Sequence, residues 1–411
     1  MNLGIDRSTW QRVTFGAVVR NVNETVKDAA AAAIDRVVAM EHMDPGELKI
    51  KRSGDAADGT TFTRRVRPKQ TLFGKRRAYQ RKVAYAEFDA ICSGDIYTFE
   101  ADETRMLGEF LPFLVQSDRF FDHALGTSAG SLSPRTNWRD LAGFEFALPP
   151  LHEQKRIADL LWAVERHQRS ISTSLDAAVH TYANARLALL SIGPRGAWIR
   201  SRVDSDTALN WSKSVPDGWS AETIESVGRV RSGATPARSQ QQRYFDGGSV
   251  PWGKTLDLNE GEVVSTDEMI TELAVAETSA KVFPAGTVMI AMYGGFVQIG
   301  RTGRLGVSAA TNQAISSVLD LRSDVDPAFL HEVLQAGRSK WRKVAASSRK
   351  DPNITKSDVE RFDFPLPPPD QQAEILATLG SLQRVIDVAE KELVSLRSLR
   401  KSLLTNIFGG N

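Results

Sequence analysis

The sequence predicts a mixed α/β protein with a pseudo-two-fold internal repeat: two globular domains separated by two long helices that pair as an antiparallel coiled coil. Three observations predict it. A Phe-x-Phe-x-Leu-Pro-Pro segment occurs twice, at 144–150 and 362–368, an offset of 362 − 144 = 218 that also relates Gln154 to Gln372 and Ile157 to Ile375. Each copy is followed by apolar residues in alternating four- and three-residue steps, the spacing of a helix with one apolar seam. The stretches before the two copies are of similar size, and the first mixes strand-like and helix-like patterning.

The first seam runs Ile157, Leu161, Val164, Gln168, Ile171, Leu175, Ala178, Tyr182, Ala185 and Leu189. At the same offset the second runs Ile375, Leu379, Leu382, Ile386, Ala389, Leu393, Leu396, Arg400, Leu403 and Ile407. Proline is tolerated at a helix start and not inside it, so Pro149-Pro150 and Pro367-Pro368-Pro369 mark the beginnings. Gly193-Pro194 and Gly409-Gly410 mark the ends. A helix of roughly 40 residues is about 60 Å long, which suits a spacer. One such stretch alone would be an ordinary amphipathic core helix; duplication in register supplies each seam with a partner.

The expected organisation is a first globular domain over 1–147, a central spacer helix over 148–192, a connector over 193–215, a second globular domain over 216–365 and a C-terminal spacer helix over 366–408. In the first domain, Asn23–Val38 with its alanine run reads as a helix by propensity. Thr60–Thr63, Thr71–Phe73 and Ala90–Cys92 read as strands between turn signals. A helix is expected over Leu107–Phe121, and a small-residue loop, Ser128–Trp138, precedes a short helix at Trp138–Leu141. The second domain opens at Pro216-Asp-Gly-Trp219, echoing Trp10, yet the two interiors barely match in sequence.

With 41% hydrophobic and 25% charged residues in a chain of 411, the composition is that of a soluble globular protein. No apolar run approaches a membrane span and no signal-peptide core is present, so a cytoplasmic location is expected. The single Cys92 excludes an internal disulfide and a cysteine-based zinc site. Because the net charge is only +2, a nucleic acid would have to be held by local patches.

One such patch is Arg64, Arg65, Arg67, Lys69, Lys75, Arg76, Arg77, Arg81 and Lys82, a run with no acidic residue and with Phe73 and Tyr79 interleaved. Such a run is either a solvated face or a footprint for phosphate backbone, and nine uncompensated cations would repel one another unless an anion is expected. The second domain offers Arg229, Arg231, Arg238, Gln241 and Arg243 in one loop region, Lys254, and then Arg338, Lys340, Arg342, Lys343, Arg349 and Lys350 around Trp341. Arginine and glutamine pair bidentately with base edges, although exposed filler is the simpler reading of any one of them.

Catalytic strings fail inspection. Gly248–Thr255 fits the phosphate-binding pattern G-x-x-x-x-G-K-[ST], but Leu256–Gly261 reads as a turn where a helix must start. His331-Glu332 opens like a zinc-protease helix but has Gln335 in place of the second ligand. Glu41-His42-Met43-Asp44 lacks a supporting cluster, and no Asp/Asn-Pro-Pro-aromatic tetrad of an amino-methyltransferase occurs. The chain is expected to catalyse nothing alone and to bind no metal or cofactor of its own.

Leu148-Pro149-Pro150-Leu-His-Glu-Gln154 and Leu366-Pro367-Pro368-Pro-Asp-Gln-Gln372 resemble the repeated motif of the specificity subunits of type I restriction-modification systems, and the resemblance spans essentially the whole chain. It implies two target-recognition domains, each reading one half of a bipartite double-stranded DNA target, with the paired helices setting the gap. It also implies two methyltransferase subunits using S-adenosylmethionine and ATP- and Mg-dependent restriction/translocase subunits as partners, and no membrane. Gln168, Tyr182 and Arg400 depart from an apolar seam, so packing there is expected to loosen or to meet a partner subunit. A recognition subunit of a type IIB-like restriction-methylation enzyme and a coiled-coil scaffold without a DNA role are the alternatives.

Overall fold

The computed structural model describes residues 6–128, 134–194, 215–345 and 353–409. The chain forms two compact units, one of Met1–Ser174 with Ala389–Asn411 and one of Leu175–Val388.

In the first unit the strands are β1 (Gln11–Thr14), β2 (Val19–Asn21), β3 (Arg36–Val38), β4 (Gly54–Asp55), β5 (Arg64–Val66), β6 (Thr71–Gly74), β7 (Val83–Tyr85), β8 (Ala90–Cys92), β9 (Ile96–Ala101) and β10 (Glu145–Leu148). Three short helices, α1 (Leu111–Val115), α2 (Asp118–Gly126) and α3 (Trp138–Ala142), precede the long α4 (Leu151–Ile192). The second unit has β11 (Ser220–Thr223), β12 (Arg229–Ser232), β13 (Val250–Gly253), β14 (Glu262–Val263), β15 (Glu268–Ile270), β16 (Val282–Phe283), β17 (Val288–Ala291), β18 (Thr302–Leu305), β19 (Ala309–Thr311), β20 (Ile315–Leu319) and β21 (Asp363–Leu366). Its helices are α5 (Ile224–Val227), α6 (Gln241–Tyr244), α7 (Glu272–Glu277), α8 (Gly295–Gln298), α9 (Pro327–Ala336), α10 (Arg338–Ala345) and α11 (Lys356–Glu360), followed by the long α12 (Pro369–Phe408).

The two interiors, which barely match in sequence, share one topology. In unit 1 one sheet is ordered β2-β9-β6-β7 and the other β4-β3-β8-β5; in unit 2 the corresponding orders are β12-β20-β17-β18, extended by β14, and β15-β13-β19-β16. Strand senses agree as well. β3 lies parallel to β8 and β13 parallel to β19, while the flanking pairs β3–β4, β5–β8, β13–β15 and β16–β19 are antiparallel. A third pairing closes each unit: β1 on β10 puts Thr14 opposite Glu145, and β11 on β21 puts Thr223 opposite Asp363. The central strands β6, β8, β17 and β19 are buried at every residue, so it is continuous burial, which many side-chain combinations can supply, that the two units share.

Three sequence expectations need correction. Residues 23–38 are not helical: the Asp28 carboxylate accepts the Ala31 N–H at 3.0 Å, Ala33 takes a left-handed φ of 53°, and buried Val37 and Val38 enter β3. A local side-chain turn and β-branched burial outweigh alanine propensity. The strand expected at Thr60–Thr63 lies instead at β5, because the Thr60 hydroxyl accepts the Phe62 N–H at 3.1 Å and turns the chain. The helix expected over 107–121 is two, α1 and α2, divided where extended Ser117 caps α2 by accepting the Phe120 N–H at 3.3 Å.

Both long helices are continuous, and each belongs in part to both units. They start at Leu151 and Pro369, so Leu148 and Leu366 end strands rather than open helices. No exposed residue occurs at any seam position. In unit 1, Ile157, Leu161 and Val164 share a core with Leu403, Ile407 and Phe408, and in unit 2, Leu189 and Leu190 share one with Ile375 and Leu379. Ile386 and Leu393 are buried, and Ile171, Leu175, Ala178, Leu382 and Leu396 are half-buried. Within unit 1, Glu165 meets Arg400 at 3.1 Å and His167 meets Glu392 at 2.8 Å, so α4 ascends as α12 descends, the antiparallel sense. The two charged or hydroxyl departures from the seam are partnered inside their own units. Arg400 pairs with buried Glu165 and also donates to Gln116, while Tyr182 donates to Glu332 at 3.2 Å.

Candidate nucleic-acid interface

Residues 75–82 connect β6 to β7 across a single 3-10 turn, Ala78–Gln80, flanked by Arg77 and Arg81 in the left-handed region at φ 54° and 53°. That conformation is uncommon for residues with a Cβ and is held here by the surroundings. The Arg77 N–H donates to Pro134 O at 2.8 Å and the Lys75 N–H to Asp95 O at 3.0 Å. Tyr79, at the tip, is 55% exposed.

The cationic run is uncompensated only along the sequence, and here the structure corrects the expectation of mutual repulsion. Glu24 holds Arg67 through two hydrogen bonds of 2.8 and 2.7 Å, and Arg65 pairs with Asp89 at 3.0 Å. Arg76 pairs with Asp95 at 3.3 Å and Arg81 with Asp118 at 2.5 Å. The hydrogen bonds from Arg67 hold the Glu24 carboxyl below its ordinary range. Arg64 donates to Ile96 O, Lys82 donates to Met40 O at 2.7 Å, and the Lys75 ammonium sits 4.7 Å from the centre of the Tyr97 ring, where burial lowers its pKa. Lys69 and Arg77 are exposed and make no ion pair among the described residues.

A groove of about 520 Å³ lies beside this loop, with Tyr79, Gln80 and Arg81 on one side and Arg397 and Lys401 of α12 on the other. Sequence reasoning missed Arg397 and Lys401. Their signal is an i, i+4 pair of cations on α12, off the apolar seam.

In unit 2, Arg238 and Lys254 converge on one carboxylate, that of Glu268, at 2.6 and 2.7 Å, and Arg238 also lies over the Phe245 ring at 4.1 Å. The hydrogen bond from Lys254, with that from Arg238, holds Glu268 below its usual pKa. Arg243 is bound to Glu277 at 2.8 and 2.5 Å, Gln241 donates to Asp246 at 3.1 Å, and Lys340 pairs with Asp363 at 2.8 Å. Arg231 on β12 and Lys343 on α10 are exposed without an ion pair among the described residues. The Arg342 side chain, Arg349 and Lys350 lie outside the described residues.

The phosphate-loop string is a strand followed by a turn. β13 ends at Gly253, Thr255–Asp257 turn, and the Lys254 N–H that would face a phosphate donates to the Asp257 carboxylate at 2.7 Å. At the zinc-like string, Gln335 accepts from Arg186 at 2.6 Å, and His331 is buried, its pKa pushed down to about 4 by desolvation. Among the described residues no helix is long and apolar enough to cross a membrane.

The sequence model of the type I restriction modification DNA specificity domain matches residues 61–180 and 216–397. The chain is 25% identical over 199 residues to the type I restriction enzyme MjaIX specificity subunit of Methanocaldococcus jannaschii, covering 47% of this chain and 44% of that protein. It spans about half or less of the length of the curated relatives it matches. Two solved structures share the fold over nearly the full length. One is the S subunit of a type I restriction-modification system from M. genitalium, with a TM-score of 0.60, 14% identity and 99% and 97% of the two chains covered. The other, with a TM-score of 0.59, 20% identity and 97% of each chain covered, comes from work on complex assembly and conformational transition of the type I restriction-modification system. With both repeats matched, the chain belongs to the type I restriction modification DNA specificity domain family.

Proposed function

We propose that this chain is the DNA-recognition subunit of a type I restriction-modification enzyme, each unit reading one half of a bipartite duplex target and the helices α4 and α12 setting the distance between the halves. The observation that carries this reading is the repetition of one sheet topology in two units, each followed by a long helix that passes into the other. A bipartite duplex presents two recognition sites at a fixed separation, and a repeated fold on continuous helices is the matching shape. The chemistry is assigned to partners: two methyltransferase subunits using S-adenosylmethionine, and restriction/translocase subunits using ATP and Mg. The turn after Lys254, filled by Asp257, supports a non-catalytic role for this chain.

Exposed Lys69, Arg77, Arg231 and Lys343, with Arg397 and Lys401, are the proposed phosphate contacts, because a cation already held by a carboxylate gains less from a phosphate. The ion-paired candidates Arg65, Arg67, Arg76, Arg81, Arg238, Arg243 and Lys254 are assigned to shaping the reading surface. Selection of the assembled methyltransferase complex on randomised duplexes tests the proposal. Enrichment of two short motifs separated by a constant unspecified gap is expected; absence of any enriched sequence contradicts it.

A further inference from the structure

We propose that the loop joining β17 to β18, residues 292–301, is a base-contacting element of unit 2, with Tyr293 stacking on a base and Val297 wedging beside it. The proposal rests on the reading of both units as DNA-recognition domains and deepens it by naming residues that the charge pattern of the sequence does not reveal.

The equivalence of the sheets singles out this loop. β6 and β7 in unit 1 occupy the places of β17 and β18 in unit 2, so loop 292–301 stands where loop 75–82 stands. Both loops place a tyrosine in solvent, Tyr79 at 55% and Tyr293 at 40% exposure. Both use left-handed backbone at the tip, Arg77 and Arg81 in one and Gly294 and Gly295 at φ 107° and 74° in the other. At Gly294 a Cβ would lie 2.6 Å from the Gln298 Cβ, so the tip tolerates only glycine.

Each loop also rests on the corresponding helix through an arginine. In unit 1, Arg81 reaches Asp118 at 2.5 Å and covers the Phe121 ring of α2 at 4.6 Å. In unit 2 the arginine comes from the helix: Arg338 of α10 donates to Val297 O at 2.6 Å, and Gly300 lies so close to Trp341 that a Cβ would meet its ring at 2.4 Å. The backbone is thus held at Val297 and at Gly300, while the Val297 side chain is 76% exposed, the most exposed large hydrophobic residue among those described.

Tyr293 and Val297, held in solvent on one braced tip, together present an apolar surface that a partner can cover. The chemistry beside it favours duplex DNA as the occupant. On α10, Arg338 is held by Glu260 and Lys340 by Asp363 at 2.8 Å, while exposed Lys343 makes no ion pair among the described residues and would draw phosphates to the flank of the tip. Apolar wedges placed among cations unstack base steps, and aromatic rings stack on exposed base faces.

The test is selection of the assembled complex on randomised duplexes with wild type, Tyr293→Ala, Val297→Ser and Tyr79→Ala, with thermal melting of each chain to verify folding. The expected result is a bipartite motif from wild type, loss of preference in one half for Tyr293→Ala and Val297→Ser, and loss in the other half for Tyr79→Ala. Affinity for the wild-type target should fall on the order of ten-fold in each case. If wild type enriches a bipartite motif and both unit 2 variants keep its two halves and its affinity, the loop assignment is overturned while the DNA-recognition reading stands. If wild type enriches no sequence, both fall. Should either unit 2 variant melt early, the other carries the decision, since both side chains point to solvent.

Discussion

Gln154 and Gln372, 218 positions apart, make the same three hydrogen bonds. Gln154 accepts the Leu107 N–H at 2.8 Å and donates to Arg105 O and Pro149 O, both at 2.8 Å. Gln372 accepts the Asp326 N–H at 2.8 Å and donates to Asp324 O at 2.7 Å and Pro367 O at 2.9 Å. Both are buried, at 0% and 1% exposure, so the glutamine of each Leu-Pro-Pro-x-x-x-Gln motif rivets the first turn of a long helix to the loop that introduces its unit's helical layer. Gln154→Leu and Gln372→Leu strand one buried donor and two acceptors each, and a loss of about 2–4 kcal/mol is expected from either. Urea unfolding measures it; losses below about 0.5 kcal/mol would show that the motif is not a clamp.

His331 gives unit 2 a pH response. Burial holds its pKa down to about 4, against about 6.5 in an unfolded chain. As pH falls the unfolded chain takes the proton first, so stability from the neutral ring is present above pH 6.5 and lost between there and about pH 4, by up to about 3 kcal/mol. The neighbouring Glu332 carboxyl, pushed up by burial, has the opposite sign and costs stability as pH rises above the usual glutamate range. Melting temperatures at pH 7 and pH 4.5 should therefore fall further apart in wild type than in His331→Gln. Equal drops would remove His331 from the response.

The exposed Arg77 and the carboxylate-bound Arg67 separate phosphate contact from scaffolding. Arg77→Ala should reduce the slope of log affinity against log salt for DNA by about 0.9. Arg67→Ala, which leaves Glu24 without its bidentate partner, should change the slope less and lower thermal stability instead. The reverse ranking would assign the phosphate contact to Arg67.

Lys254→Ala removes a cation that bridges to Glu268 rather than one that awaits a nucleotide. ATP turnover by an assembled restriction complex should be unchanged by it. A loss of ATP turnover with DNA binding intact would restore the phosphate-loop reading.

The long helices were legible because heptad spacing, proline starts and glycine stops are all local signals, and because Ile157 and Ile375 repeat them in register. The recognition units were less so. Their strands are two to six residues long, and Val37–Val38 joins a sheet against the propensity of the alanines before it. Charge was misread for a related reason: the acids that pair with Arg65, Arg67 and Arg81 are Asp89, Glu24 and Asp118, brought near only by folding. The loop at Tyr293 carries no charge signal and becomes visible only through its place between β17 and β18.

The ruler role of α4 and α12 is the central claim, and its most direct measurement is the methylated motif of a lengthened variant. One heptad inserted into α4 after Ser174 and one into α12 after Val388, where each helix passes from one unit to the other, keeps both seams in register. The helices gain about 10 Å at 1.5 Å per residue, which is about three base pairs at 3.4 Å each. Genome-wide mapping of modified bases should recover the same two half-site sequences with a gap about three base pairs longer. Unaltered spacing with altered half-site bases would contradict the ruler and make the helices part of the reading surface.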